Sequence, residues 1–288
     1  AFLAACDTEL QRIAAALADC AGLHVVVGHP VALGQGARER SWSVPGCLNV
    51  ASVLNGGRVV GRYAKRELPN YQVFDERRYF ASGRDAGLAP LVIEVGGVRL
   101  GLLICEDAWF DEPAAAAKAA GAEVLCVLNA SPFHLGKVEE REARMADRAR
   151  AVGLPLLYAH LVGGQDEMVF DGASFALQAD GSLAARAPMF EEALAVLEVR
   201  ATGLRGEVQA LPAFEAQAWG ALVIGVRDYL GKNDFPGAII GLSGGIDSAL
   251  VLAIAVDALV AVKVRAGMTP VPYTADISWI DARDMAAR

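Results

Sequence analysis

Val98-Arg99-Leu100-Gly101-Leu102-Leu103-Ile104-Cys105-Glu106-Asp107-Ala108-Trp109-Phe110 runs from an apolar stretch into a thiol and then two carboxylates. The apolar part describes a buried strand, and that strand delivers Cys105 at its carboxyl end. Parallel α/β sheets gather their chemistry beyond the carboxyl ends of their strands, so Cys105 stands where a nucleophile belongs. A purely structural role is the alternative, since a free cysteine also serves as a small apolar residue closing a core strand.

The surroundings of this stretch define the architecture. Before it, Leu91–Val95 and the Gly96-Gly97 pair form the first arm and turn of a hairpin. After it come an Ala-rich helix over Asp111–Ala120 closed by Gly121, a strand over Glu123–Asn129 with Cys126 in the core, and a turn at Asn129-Ala130-Ser131-Pro132. A charged helix from Lys137 to Val152 stops at Gly153, and Leu154–Val162 is another apolar strand. This alternation predicts a layered α/β domain. Residues 163–172 are expected to be a polar loop. Ala173–Leu177 and Ser182–Ala187 should form a hairpin turning at Asp180-Gly181, with Glu192–Val199 as a last strand.

Upstream, apolar residues at three- and four-residue steps predict an amphipathic helix over residues 1–21, ended by Gly22. The strand Leu23–Gly28 follows, then a loop rich in Gly and Arg. Leu48–Leu54 and Val59–Tyr63 flank Asn55-Gly56-Gly57, a strong hairpin signal. In Tyr63–Phe80 charges and aromatics alternate without helical or strand period, and Pro69 blocks a regular ladder. Such a loop is either functional or a salt-bridged surface segment.

A linker composition marks Ala201–Ala213, with Gly203, Gly206 and Pro212. A second unit then opens with a helix over Glu215–Lys232 and a strand over Ala238–Ile240. Between that strand and a helix over Ala249–Val260 lies Gly241-Leu242-Ser243-Gly244-Gly245-Ile246-Asp247-Ser248. Small residues let the backbone wrap a phosphate, and a helix amino terminus adds a favourable dipole. The octet lacks the lysine of the GxxxxGK[ST] loop and is a different device. An ordinary Gly-rich turn would account for the glycines but not for the Ser-Gly-Gly-x-Asp-Ser order.

The chain has 288 residues, 54% hydrophobic and 21% charged, with a net charge of −8. That acidity argues against nonspecific binding to nucleic acid or to an anionic membrane. The five cysteines (Cys6, Cys20, Cys47, Cys105, Cys126) are odd in number and form no CxxC pair, so neither a disulfide framework nor a zinc site is indicated, and a reducing cytoplasm is expected. No apolar run reaches the roughly 18 residues of a membrane span. The chain starts at Ala1 without Met and stops at Arg288 within a charged helical segment, so a fragment cut at both ends is expected.

The octet 241–248 resembles the signature of the ATP pyrophosphatase family, which splits ATP into AMP and pyrophosphate to activate a substrate. The resemblance implies ATP cradled by Gly241, Leu242, Ser243, Gly244, Gly245, Ile246, Asp247 and Ser248, with Mg²⁺ held by Asp247. Residues 48–175 resemble the nitrilase superfamily, whose amidases use a Glu-Lys-Cys triad. Lys65, in Tyr63-Ala64-Lys65-Arg66-Glu67-Leu68-Pro69-Asn70-Tyr71, stands at the family lysine, and Cys105 stands at its nucleophile. Joined with Gly163-Gly164-Gln165-Asp166-Glu167-Met168-Val169-Phe170-Asp171-Gly172, the two halves resemble the glutamine-dependent NAD⁺ synthetase family.

That resemblance implies a nitrilase-like α-β-β-α sandwich over residues 1–200 lacking its first strand, a linker over 201–213, and the start of a Rossmann-like ATP pyrophosphatase domain over 214–288. It implies glutamine bound by Tyr71, Glu106, Ser131 and Lys137, with nicotinic acid adenine dinucleotide and ATP as further small-molecule substrates and a homo-oligomeric state at full length. The triad glutamate of the family precedes the first helix in a Pro-Glu segment. The chain opens on that helix, and Glu67, Glu76 and Glu106 do not replace that glutamate by position, while the synthetase half is expected to end before most of its nucleotide and dinucleotide contacts, so on its own the chain is expected neither to hydrolyse glutamine efficiently nor to make NAD⁺. A nitrilase-type amidase fused to a pyrophosphatase domain with another acceptor, or an inactive binding remnant, stays open as an alternative.

Overall fold

In the computed structural model, which describes residues 1–20, 22–33, 46–200, 203–269 and 271–287, the first elements are α1 (Phe2–Ala16), β1 (Val25–Ala32), β2 (Cys47–Asn55) and β3 (Arg58–Ala64). The Gly- and Arg-rich loop expected before the hairpin falls at 34–45, outside the described residues. The three strands form an antiparallel sheet in the order β1-β2-β3. Gly56 and Gly57 both take positive φ, 53° and 80°, which the twisted two-residue hairpin turn requires and which side-chain-bearing residues resist.

The loop after β3 contains one short helix, α2 (Glu76–Tyr79), that its sequence did not announce. Then follow β4 (Val92–Val95), β5 (Val98–Ile104), a 3₁₀ turn over Cys105–Trp109, α3 (Asp111–Ala119), β6 (Val124–Asn129), α4 (Lys137–Val152) and β7 (Leu156–His160). With β10 (Phe175–Leu177) and β11 (Leu183–Arg186) these strands make a six-stranded sheet in the order β11-β10-β7-β6-β5-β4. Its centre, β5-β6-β7, is parallel, so the carboxyl ends of those strands share one edge. The flanking pairs are antiparallel.

Side-chain alternation stacks the layers. On β2, Val53 faces the second sheet and joins a core with Leu102, Leu103, Leu125, Tyr158 and Phe175. Its neighbour Leu54 faces the other way, onto Leu10 and Ala14 of α1. On the far side of the second sheet, Ala114 and Ala117 of α3 and Met145 and Ala149 of α4 belong to the same core as β5 and β6. The order is therefore helix, sheet, sheet, helices. Gly101 lets α3 and the turn after it lie close on β5, because a Cβ there would lie 3.1 Å from the Ala117 Cβ and 2.7 Å from the Ala122 Cβ.

Three expectations need correction. Residues 163–172 are a hairpin, β8 (Val162–Gln165) and β9 (Met168–Asp171), rather than a loop, so the apolar run from Leu154 is divided between β7 and β8. Polar side chains misled here because the hairpin's bonds are made by backbone. Of Glu192–Val199 only the end is strand, in β12 (Glu198–Arg200), and Leu194 is 93% exposed, so apolar content there does not report burial. The stretch with linker composition carries β13 (Gly203–Arg205), paired with β12, and buries Leu204. Elsewhere β1 lies slightly later than expected and α1 ends sooner.

The second unit consists of α5 (Phe214–Lys232), β14 (Ala238–Gly241), α6 (Ile246–Leu259), β15 (Val264–Gly267) and α7 (Asp276–Ala287). Its two strands are parallel. Helix α5 packs on the β8–β9 hairpin, where the Gly164 N–H donates to Asp228 Oδ2 at 2.7 Å. Among the described residues no helix is long and apolar enough to cross a membrane.

Candidate active site

Cys105 lies where β5 gives way to the 3₁₀ turn, with φ at 46°, a left-handed conformation that a cysteine adopts only when its surroundings hold it there. The bend turns the side chain off the strand's end. Burial pushes the thiol up from its ordinary range, the Lys65 ammonium pulls it down, the Glu106 carboxylate opposes that pull, and a bond from the Ala130 backbone again lowers it.

Lys65 follows directly on β3 and is only 2% exposed. Its backbone is fixed on both sides, by Lys65 N–H to Asn49 O at 2.9 Å and Gly83 N–H to Lys65 O at 2.8 Å. Its Nζ donates to Glu76 Oε1 at 2.6 Å, and Glu76 Oε2 is buried without a hydrogen-bond partner among the described residues. Glu76, at the start of α2, was set aside by position in the sequence as a replacement for the triad glutamate; its bond to Lys65 is the contact that sequence reasoning missed. The three glutamates set aside there have separate partners: Glu67 meets Arg84, Glu106 meets Tyr71, and Glu76 meets Lys65. The available signal was the run of charges and aromatics after Pro69, which had no periodic explanation.

A cleft with a cavity volume of about 390 Å³ opens over the thiol. Tyr71, Glu106, Ser131 and Lys137, expected from sequence to share one ligand, all line it together with Cys105, Trp109 and Glu140. The Tyr71 hydroxyl donates to Glu106 Oε1 at 2.8 Å, and burial together with that carboxylate pushes the phenol up to about 12. Lys137 Nζ lies 3.0 Å from Glu140 and 4.8 Å from the centre of the Trp109 ring. Lys65 does not line the cleft; its charge is felt at the thiol from within the protein.

Behind the cleft, Arg141 of α4 forks onto Asp171, both fully buried. His160, at the end of β7, accepts the Ser131 backbone N–H at Nε2, 3.1 Å, and so ties the 131–133 wall to this pair. Burial first, then the Arg141 charge, holds His160 down to about 4. An unfolded histidine takes up its proton near 6.5 while the folded one refuses it until about 4. Stability is therefore expected to fall by up to about 3 kcal/mol as pH drops through that window, and to be insensitive to this group above pH 7. Urea unfolding at pH 7 and pH 5 checks this: His160→Gln should flatten the difference seen in the wild type.

The second candidate site is the octet. Ser243 N–H and Oγ both lie within bonding distance of Ser248 Oγ, at 3.2 and 3.0 Å, and Ser248 Oγ donates to Gly245 O at 2.9 Å, which curls the loop ahead of α6. Gly244 has φ of 84°, and a Cβ there would lie 2.5 Å from the Ser278 carbonyl oxygen. Asp247 is exposed on the first turn of α6. No group of three or more His, Cys, Asp or Glu that could hold a metal occurs among the described residues. One exposed carboxylate beside a loop of backbone amides suits Mg²⁺ shared with substrate phosphates, and does not make a cage by itself.

Fold and first site together define a layered α/β protein that presents a thiol and a carboxylate to one cleft, with a buried ammonium outside the cleft whose charge acts on the thiol. Residues 3–206 match the model of the carbon-nitrogen hydrolase family, and the chain belongs to that family. Residues 218–288 match the NAD synthase model. A glutamine-dependent NAD(+) synthetase of Xylella fastidiosa (strain Temecula1) is 46% identical over 99% of this chain and 50% of its own length. The structure of glutamine-dependent NAD+ synthetase from Acinetobacter baumannii in complex with ADP superposes with a TM-score of 0.86 at 38% identity, covering 98% of this chain and 52% of that one. A mutant of the amidase from Nesterenkonia sp. AN1, showing covalent addition of the acetamide moiety of fluoroacetamide at its active site cysteine, gives 0.53 at 26% identity over 65% of this chain and 63% of that one. The chain spans about half the length of the curated relatives it matches.

Proposed function

We propose that the whole protein is a glutamine-dependent NAD⁺ synthetase in which the cleft over Cys105 releases ammonia from glutamine. The observation that carries this is the meeting of Cys105, under the charge of Lys65, with the four side chains expected to read one amino-acid ligand. Lys137 matches the α-carboxylate of glutamine and Glu106 its α-ammonium, while Tyr71 and Ser131 supply hydroxyl groups. The Cys105 thiolate attacks the carboxamide carbon, and the oxyanion that forms is stabilised by the Lys65 ammonium. The proton given up by the Cys105 thiol goes to the departing nitrogen, and ammonia leaves with the carbon-nitrogen electron pair, leaving a glutamyl thioester. Water then attacks the thioester carbon, the carbon-sulfur bond breaks as glutamate leaves, and a proton from the water returns to the sulfur to restore the thiol. The covalent adduct on the Nesterenkonia amidase cysteine supports the same role for Cys105.

In the second unit, Gly241, Leu242, Ser243, Gly244, Gly245, Ile246, Asp247 and Ser248 would hold the phosphates of ATP while the carboxylate of nicotinic acid adenine dinucleotide is adenylated. Asp247 would share Mg²⁺ with those phosphates, and the ion would offset the charge on the departing pyrophosphate. Ammonia then displaces AMP. The domain limits that go with this reading are a glutaminase unit to about residue 200 and a synthetase unit from 214, in a cytoplasmic homo-oligomer. Amide-¹⁵N glutamine given to the whole protein with ATP and nicotinic acid adenine dinucleotide should place ¹⁵N in NAD⁺, with one AMP per NAD⁺. Cleavage of ATP to AMP with no NAD⁺ formed would point to another acceptor and contradict the proposal.

A further inference from the structure

Asp107 is fully buried, lines no part of the cleft, and takes four hydrogen bonds. Its Oδ1 accepts the backbone N–H groups of Arg66 at 3.0 Å and Glu67 at 2.8 Å. Its Oδ2 accepts the Tyr63 hydroxyl at 2.8 Å and the Ile104 backbone N–H at 3.1 Å. Among the described residues its charge is met by these bonds and by no ion pair. The donors belong to the two segments that carry the reactive groups: Tyr63, Arg66 and Glu67 flank Lys65, and Ile104 immediately precedes Cys105.

We propose that Asp107 is a positioning residue that fixes the Lys65 ammonium against the Cys105 thiol and thereby sets the reactivity of that thiol. The inference rests on the reading of Cys105 and Lys65 given above. Strand β3 ends at Ala64, so the backbone that carries Lys65 onward has no ladder partner at Arg66 and Glu67. Asp107 supplies one. At the other end, its bond to the Ile104 N–H closes the 3₁₀ turn from within, which holds Cys105 at its left-handed φ. A buried carboxylate adds little net stability over an apolar group of similar volume, so stability alone does not call for one here. Joining two segments through four directional bonds does.

The test is made on the whole protein. Asp107→Asn keeps the shape but sets an amide NH₂ against groups that need an acceptor. In the folded variant, kcat for glutamine hydrolysis should fall roughly a hundredfold, the cost of a misplacement of about 1 Å. KM should hold within about threefold, because the substrate-reading side chains are untouched. The pH profile of Cys105 alkylation by iodoacetamide, resolved by peptide mass, should move to higher pH, toward that of Lys65→Met. Synthesis from free ammonia should be unchanged. If Asp107→Asn does not fold, Tyr63→Phe removes a single donor and should shift the profile the same way by less. A folded Asp107→Asn, or a folded Tyr63→Phe in its place, with the wild-type alkylation profile and kcat overturns the proposal. Glutamine hydrolysis surviving in Cys105→Ala contradicts the reading of the nucleophile instead, and the alkylation profile then decides Asp107 on its own.

Discussion

Cys105→Ala in the whole protein is expected to abolish NAD⁺ formation from glutamine while leaving formation from free ammonia at the wild-type rate. Removing the nucleophile of a covalent hydrolase costs on the order of 10⁶-fold in kcat, which puts the residual glutamine-dependent rate below detection. The methyl side chain fits the space of the thiol, and the neighbouring Ala108 and Ile104 already pack tightly, so the sheet edge should keep its shape. Under the proposed function, free ammonia needs no release from glutamine at the cleft. The octet and Asp247 lie on β14 and α6, elements that do not carry the thiol. Parallel rate measurements with the two nitrogen sources read the outcome, and loss of both activities together would mean that the sites are not separable.

Lys65→Met should be the second most damaging change, lowering glutamine hydrolysis by at least about 10²–10³-fold, the scale of a lost oxyanion donor. Two effects combine in it. The developing oxyanion loses its cation, and the thiol loses the charge that offsets its burial, so Cys105 should alkylate only at higher pH. The substitution also strands Glu76, whose second oxygen already lacks a partner among the described residues. Breaking a buried ion pair by removing one member costs about 3–5 kcal/mol. Adding Glu76→Gln should therefore recover stability without recovering hydrolysis. Unfolding midpoints and kcat measured on the single and double variants separate the two effects, and a double variant that regains activity would show Lys65 to be structural.

Much of this was legible in the chain because local chemistry and long-range packing agree. The Gly56-Gly57 turn, the β4–β5 hairpin and the helix stopped at Gly153 follow from glycine geometry and period alone. Cys105 was legible as the end of an apolar run, whereas Tyr71, Glu106, Ser131 and Lys137 were singled out only by the family resemblance. Sequence could not show that Tyr71, more than thirty residues upstream, bonds to Glu106, since that contact exists only once two sheets have stacked. The contact of Glu76 with Lys65 was hidden for the same reason. The carboxylate meets the Nζ of Lys65, eleven residues away across an irregular loop with no period to extrapolate. The β8–β9 hairpin was missed because its strands are polar and glycine-rich. It is held by backbone pairing and by α5 resting on Gly164, where a Cβ would lie 3.2 Å from the Gly225 Cα.

A glutamine analogue carrying a diazomethyl ketone in place of the carboxamide addresses the central claim most directly. In the whole protein, protonation of the diazo carbon and attack by the catalytic thiolate form a stable thioether with loss of N₂, and peptide mass analysis locates it among the cysteines, five of which lie in this chain. One adduct per chain on Cys105, prevented by glutamine and slowed in Lys65→Met, is the predicted result. An adduct on Cys6, Cys20, Cys47 or Cys126, or one on Cys105 that glutamine does not prevent, would contradict it.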